Sequence, residues 1–136
     1  MKVIKFSGIL IIVSLLFNFV TAYLSQVKPS LSNIIMYTRV IFNFLINIFL
    51  VYVLVGFWAP MWLLFVLTPV AVAIYGNIKN TILISILVSS TLLSIYGIKG
   101  LSSLNGWAEA ITNSIFIVML SLFIHTLVTI IHRKND

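Results

Sequence analysis

The segment between Arg39 and Lys79 contains no Asp, Glu, Lys, Arg or His, and it is rich in Val, Leu, Ile and Phe. An α-helix needs about 20 apolar residues to cross a bilayer, so this segment is long enough for two crossings joined by a tight turn. A water-soluble domain of this size would have to expose much of that apolar surface. The segment therefore predicts an all-α fold, a polytopic transmembrane helical bundle.

The composition of the whole chain agrees with this prediction. Hydrophobic residues make up 62% and charged residues 7% of the 136 positions, whereas about 25% of the residues in soluble domains are charged. A chain of this length predicts a single membrane-embedded domain over residues 1–136. The net charge of +6 comes from basic residues at the ends of apolar runs. That placement is typical of topology determinants and does not indicate a nucleic-acid partner.

Five apolar segments are predicted to be helices, because barrel strands would alternate polar and apolar residues over about 10 positions. The sequence predicts tight turns at residues 56–60 and 76–80, and a longer loop at residues 100–110. The predicted spans are residues 6–24, 36–56, 59–75, 81–98 and 111–132. In an alternative, the first segment is a signal peptide cleaved after Val20-Thr21-Ala22, which would leave four spans.

Lysine and arginine residues mark the cytoplasmic side of membrane proteins. With five spans, a cytoplasmic N-terminus would place three basic residues on the cytoplasmic side, namely Lys2, Lys5 and Lys99. The opposite orientation would place five inside, namely Lys28, Arg39, Lys79, Arg133 and Lys134. This count favours a plasma-membrane protein with a cytoplasmic C-terminus. The same orientation predicts an outer interface formed by Trp58, Trp62, Trp107 and Glu109.

One stripe of polar side chains follows the helical repeat of the second span. Arg39, Asn43 and Asn47 are spaced four residues apart and share one helix face. Asn43 and Asn47 are too far from the span's ends to reach an interface, so we expect both amides to face protein. Two roles are open, interhelical hydrogen bonding and the lining of a polar cavity.

Two further stripes lie on the fourth and fifth spans. Thr81, Ser85 and Ser89 are small residues four positions apart, and close helix packing is their expected role, with a solute path as the alternative. Ser121 and His125 share a face of the last span. His125 is either a hydrogen-bonded core residue or a proton carrier, and its depth allows contact with Asn43 on the second span.

The sequence holds no catalytic, cofactor-binding or metal-binding motif and no Cys. We therefore expect neither enzyme activity nor a cofactor. No predicted span holds a buried acid of the kind on which small proton-coupled exporters usually depend. The expected partners are the lipid bilayer and either a second copy of the chain or another membrane protein.

The layout of residues 55–134 resembles the membrane-embedded sensor portions that precede kinase or cyclase domains in bacterial signalling proteins. Its elements are a Trp-containing turn, a helix, a Tyr-Gly turn with a basic residue, a Ser-rich helix and a last helix that ends in Arg-Lys. The resemblance implies a sensor-like or accessory membrane module that acts with a partner protein. The alternatives are a small oligomeric transporter or channel and a holin-like pore former, although five spans exceed the usual number in holins.

Overall fold

The computed structural model describes residues 2–55, 59–100 and 103–135, and these residues form helices and turns without a strand. The predicted all-α helical bundle is therefore confirmed. The five α-helices are α1 (Lys2–Val27), α2 (Ser32–Leu54), α3 (Leu64–Tyr75), α4 (Ile78–Ile98) and α5 (Leu104–Asn135). Short 3-10 helices precede α2 at Pro29–Leu31 and α3 at Ala59–Leu63.

Four of the five helices are long and apolar enough to cross a membrane, which identifies a membrane protein by length and composition. The third is shorter, with 12 residues in α3 after 5 residues of 3-10 helix. A 3-10 helix rises more per residue than an α-helix, which offsets part of the shortfall in residues. The two pieces together extend about 28 Å, close to the thickness of a hydrocarbon core, which is about 30 Å.

The turns between the helices have local causes. A Cβ at Gly76 would lie 2.8 Å from the carbonyl oxygen of Val72, so only glycine fits where α3 ends. The side chain of Asn77 then accepts a 2.8 Å hydrogen bond from the backbone N–H of Asn80 and caps α4. After α4, Gly100 adopts a left-handed conformation with φ of 68°.

The last helix begins seven residues before the predicted start at residue 111, so most of the loop predicted at residues 100–110 is helical. The hydroxyl of Ser103 accepts a 3.2 Å hydrogen bond from the backbone N–H of Gly106, which caps the first turn of α5. No proline follows to interrupt the helix. The sequence-based start of this helix was therefore placed too late, because the helix begins with polar residues that also occur in loops.

Consecutive helices run antiparallel, so helix ends alternate between the two ends of the bundle. The contact Phe17–Phe42 joins α1 to α2, Asn47–Leu64 joins α2 to α3, and Ser89–Ser114 and Tyr96–Glu109 join α4 to α5. The helices α3 and α5 run in the same direction, with the contacts Trp62–Phe116 and Ala73–His125. One end, hereafter the basic end, carries Lys28, Arg39, Lys79, Arg133 and Lys134. The opposite end carries Lys5, Lys99 and Glu109.

The hydrophobic core lies between α2, α3, α4 and α5. Its fully buried side chains include Val51, Phe65, Leu92 and Ile117, one from each of these helices. Among the described residues, α1 contributes none to this core and packs mainly on α2. Their contact includes the rings of Phe17 and Phe42, whose centroids lie 3.9 Å apart. The first helix is therefore attached to the outside of a four-helix core.

Candidate functional site

A pair of asparagines joins α1 to α2. The amide of Asn18 donates to Oδ1 of Asn43 at 2.8 Å, and the amide of Asn43 donates back to Oδ1 of Asn18 at the same distance. The hydroxyl of Ser14 adds a 3.1 Å bond to Oδ1 of Asn43. Side-chain hydrogen bonds of this kind hold helices together where no water competes for the amides.

Arg39 lies beside this pair and has few partners of its own. Its Nε donates a long, 3.4 Å hydrogen bond to Oδ1 of Asn18, so the side chain lies against the polar face of α1. The terminal guanidinium nitrogens form no hydrogen bond or ion pair with any other described residue. A guanidinium group has five N–H donors, and most of those on Arg39 are therefore available.

Asn47 connects α2 to α3. Its amide donates a 2.9 Å hydrogen bond to the carbonyl oxygen of Leu64, and the side chain is buried. The same stretch of α3 contains Pro69, which has no N–H to donate to Phe65 four residues earlier. The amide of Asn47 thus binds the first turn of a helix whose own hydrogen bonding is interrupted one turn later.

A cavity of about 320 Å³ lies between α1, α2 and α3. It has a polar group of side chains and a larger apolar wall. The polar lining consists of Ser14, Asn18, Arg39, Asn43, Asn47 and Thr68. Most of the apolar lining is Ile11, Leu15, Met36, Val40, Leu50, Leu64, Leu67, Ala71 and Tyr75. This volume is at the small end of ligand-binding cavities, which span about 300–1,000 Å³.

Thr68 is an unusual part of the lining. Its side chain is only 4% exposed, and its hydroxyl is buried without a hydrogen-bond partner among the described residues. A helical threonine usually donates to the carbonyl oxygen four residues earlier. Here that oxygen belongs to Leu64 and accepts the amide of Asn47 instead. Buried hydroxyls are rarely left unpaired, so Thr68 is an exception among the described residues that line the cavity.

The described polar lining of the cavity covers only part of the length of the bundle. Met36 and Tyr75 line it near the basic end, and Leu50 and Leu64 line its inner limit. Beyond Asn47 the same face of α2 continues with Leu50 and Val51, which are buried in or beside the hydrophobic core. The polar lining therefore stops part of the way along α2 and does not continue to the opposite end.

The Thr81, Ser85 and Ser89 stripe lies elsewhere, within the packed centre of the bundle. All three side chains are buried, and the hydroxyl of Ser89 donates a 3.2 Å bond to the backbone oxygen of Ser114 on α5. Ser85 donates to the carbonyl oxygen of Thr81 in its own helix at 2.6 Å. Small side chains allow neighbouring helices to approach closely, so helix packing stays the predicted role of this stripe.

Ser121 and His125 are also separate from the cavity. Nδ1 of His125 lies 3.1 Å from the backbone oxygen of Ala73, so this nitrogen must carry the proton that bonds α5 to α3. Ser121 is fully buried and donates to Ile117 in its own helix. No α5 residue whose side chain is described lines the cavity, and Asn43 has its partners on α1. The contact between His125 and Asn43 that their depths allow is not formed.

Three of the four residues expected at an outer interface, Trp62, Trp107 and Glu109, lie toward the opposite end of the bundle. The carboxylate of Glu109 accepts a 3.0 Å hydrogen bond from Tyr96, and Trp107 lies near Gly97 one residue further along α4. Trp62 makes an edge contact with Phe116 at 5.8 Å between centroids. Trp58 lies outside the described residues.

Sequence reasoning missed the contribution of α1 to the site. Ser7, Ser14, Asn18 and Thr21 share a helix face that turns toward α2, and the first and last of them are buried. Their spacing was a usable signal, because polar side chains recur every three to seven positions in an otherwise apolar run.

Comparison of the chain with protein-family models, curated proteins and solved structures finds no match.

Proposed function

We propose that this chain is a multi-pass membrane protein that acts as a sensor-like or accessory module. In this proposal α2–α5 form a fixed core, and α1 is the helix whose position answers to a ligand or a partner protein. The observation that carries the proposal is a cavity whose described polar lining ends part of the way along α2. A channel or transporter needs a polar path that reaches both faces, whereas a binding module needs a cavity that touches both a fixed and a movable element.

The unequal packing of the helices supports the same assignment. Within the described residues, α1 adds nothing to the hydrophobic core, and its polar contacts with the rest of the chain are concentrated at Asn18 and Ser14. Both residues line the cavity. A group that enters the cavity would therefore touch the contacts that hold α1 in place.

For the topology we propose five crossings of the plasma membrane, with the basic end and the C-terminus in the cytoplasm. The basic end carries five Lys and Arg residues against Lys5 and Lys99 among the described side chains of the other end, and such an excess marks the cytoplasmic side. A cysteine at Lys79 tests this, because the natural chain has none. An impermeant maleimide should label Lys79→Cys only in permeabilised cells, and labelling of intact cells would contradict the orientation.

The functional proposal is tested by spin-label distances in nanodiscs. A pair placed at Tyr23 on α1 and Leu83 on α4 reports the position of α1, and a pair at Leu83 and Ile130 on α5 reports the core; all three side chains are exposed. We expect a broad or two-component distance distribution for the first pair and a single narrow one for the second. Equally narrow distributions for both pairs would contradict a movable α1.

A flux assay separates this proposal from the transporter alternative. Proteoliposomes that contain the protein should show no more ion or proton flux than empty liposomes. Flux that disappears in Asn47→Leu would favour the transporter and contradict the proposal, since it would require a polar route past the inner end of the cavity.

A further inference from the structure

We propose that the cavity between α1, α2 and α3 binds an anionic amphiphile, with its charged oxygen group at Arg39 and its acyl chain along the apolar wall. This deepens the proposed function, because it names the chemical class of the ligand. Binding and the movement of α1 are measured separately, so either can fail without the other.

The charge of the ligand follows from Arg39. The only acidic residues of the chain are Glu109 and Asp136, and Glu109 lies at the opposite end of the bundle. A guanidinium group in an apolar setting is costly unless an anion or several acceptors surround it. Within the described part of the chain Arg39 has a single long bond, to an amide oxygen, and its remaining N–H groups suit the two oxygens of a carboxylate or phosphate.

A second donor lies at a similar depth. The bond between Asn47 and Leu64 fixes the register of the antiparallel helices α2 and α3. Toward the basic end, Asn43 lies four residues before Asn47 on α2, and Thr68 lies four residues after Leu64 on α3. Thr68 therefore lies level with the asparagine pair that Arg39 contacts. Its unpartnered hydroxyl can donate to the same anionic group or to a water beside it.

The apolar wall defines the rest of the ligand. From Leu64 to Tyr75 the lining of α3, which is apolar apart from Thr68, covers 11 residue steps, and these correspond to about 16 Å along the helix. Leu15, Val40 and Leu67 contribute side chains along this length. A small hydrophilic anion such as free phosphate would leave this surface uncovered, whereas an acyl chain would cover it.

The test places the protein in phosphatidylcholine nanodiscs that contain spin-labelled lipids. Electron paramagnetic resonance then measures the fraction of each labelled lipid whose motion the protein restricts. The probes are spin-labelled stearic acid in its ionised form, spin-labelled phosphatidylglycerol and, as the zwitterionic control, spin-labelled phosphatidylcholine. We expect a motionally restricted component that is larger for at least one anionic probe than for phosphatidylcholine. Preference for stearate assigns a free fatty carboxylate, and preference for phosphatidylglycerol, or equal binding of both, assigns a phospholipid of the bilayer.

Variants identify the site. Arg39→Gln should weaken binding of the anionic probe roughly tenfold, and Thr68→Val roughly threefold, since a charged hydrogen bond contributes more than a neutral one. Lys79→Gln, which removes an exposed charge from the same end outside the cavity, should leave binding unchanged. Ala71→Phe should reduce the restricted component of the anionic probe to that of phosphatidylcholine, because the larger side chain occupies the cavity, with circular dichroism to verify the fold.

Three results would overturn the inference. The first is equal restriction of anionic and zwitterionic probes by the natural chain. The second is a loss in Lys79→Gln as large as that in Arg39→Gln, which would indicate general attraction to the basic end. The third is full binding by a folded Ala71→Phe variant.

Discussion

The reciprocal hydrogen bonds between Asn18 and Asn43 predict a measurable coupling between the two side chains. Asn43→Leu removes both shared bonds and the bond from Ser14, and Asn18→Leu removes the shared bonds and the contact with Arg39. Interhelical hydrogen bonds in membrane proteins contribute about 0.6 kcal/mol each on average, so two shared bonds predict a coupling free energy of about 1.2 kcal/mol.

The assay is a double-mutant cycle on the free energy of unfolding in mixed detergent micelles. The double variant should be less destabilised than the sum of the two single variants by the coupling energy, because each single change already removes both shared bonds. Asn33→Leu, an exposed position in the first turn of α2, is the matched control and should be close to neutral. Additive effects, meaning a coupling below about 0.4 kcal/mol, would refute the reciprocal pair.

Two further predictions concern the other polar residues. Ser85→Leu should lower the free energy of unfolding by about 1–3 kcal/mol, because the larger side chain overpacks a fully buried position. The control Ser90→Leu, on the exposed face of α4, should be close to neutral. If thermal unfolding showed the larger loss for Ser90→Leu, the buried position of the stripe would be contradicted. His125→Ala should lose about 1 kcal/mol because the backbone oxygen of Ala73 loses its donor, and His125→Gln should recover most of this loss. Equal losses of thermal stability for Ala and Gln would instead require a role that only imidazole can perform.

The sequence predicts the helices well because their signals are local. Long apolar runs set the number of helices, and glycine with asparagine after Tyr75 sets the turn before α4. The stripe of Thr81, Ser85 and Ser89 could be assigned to one face from the helical repeat alone. The start of α5 was placed late because Asn105, like other polar residues, occurs both in loops and in first turns.

The candidate site was only partly predictable because its geometry depends on contacts between distant segments. The face formed by Arg39, Asn43 and Asn47 is readable from spacing, but the identity of the helix that meets it is not. Asn18 pairs with Asn43 across 25 positions, and nothing local distinguishes α1 from α5 as the partner. The unpartnered state of Thr68 likewise depends on the competition between its own hydroxyl and a side chain of another helix.

Cysteine accessibility along the cavity face of α2 tests most directly whether the cavity is closed at its inner end. Single cysteines at Asn43, Asn47 and Leu50, with the exposed Ile41 as control, are treated with a charged, water-soluble thiol reagent added to one side of oriented proteoliposomes. We predict labelling from the side of the basic end that decreases from Asn43→Cys to Asn47→Cys and is absent at Leu50→Cys, with no labelling from the other side. Rapid labelling of Leu50→Cys from both sides would show a continuous aqueous path and contradict the closed cavity.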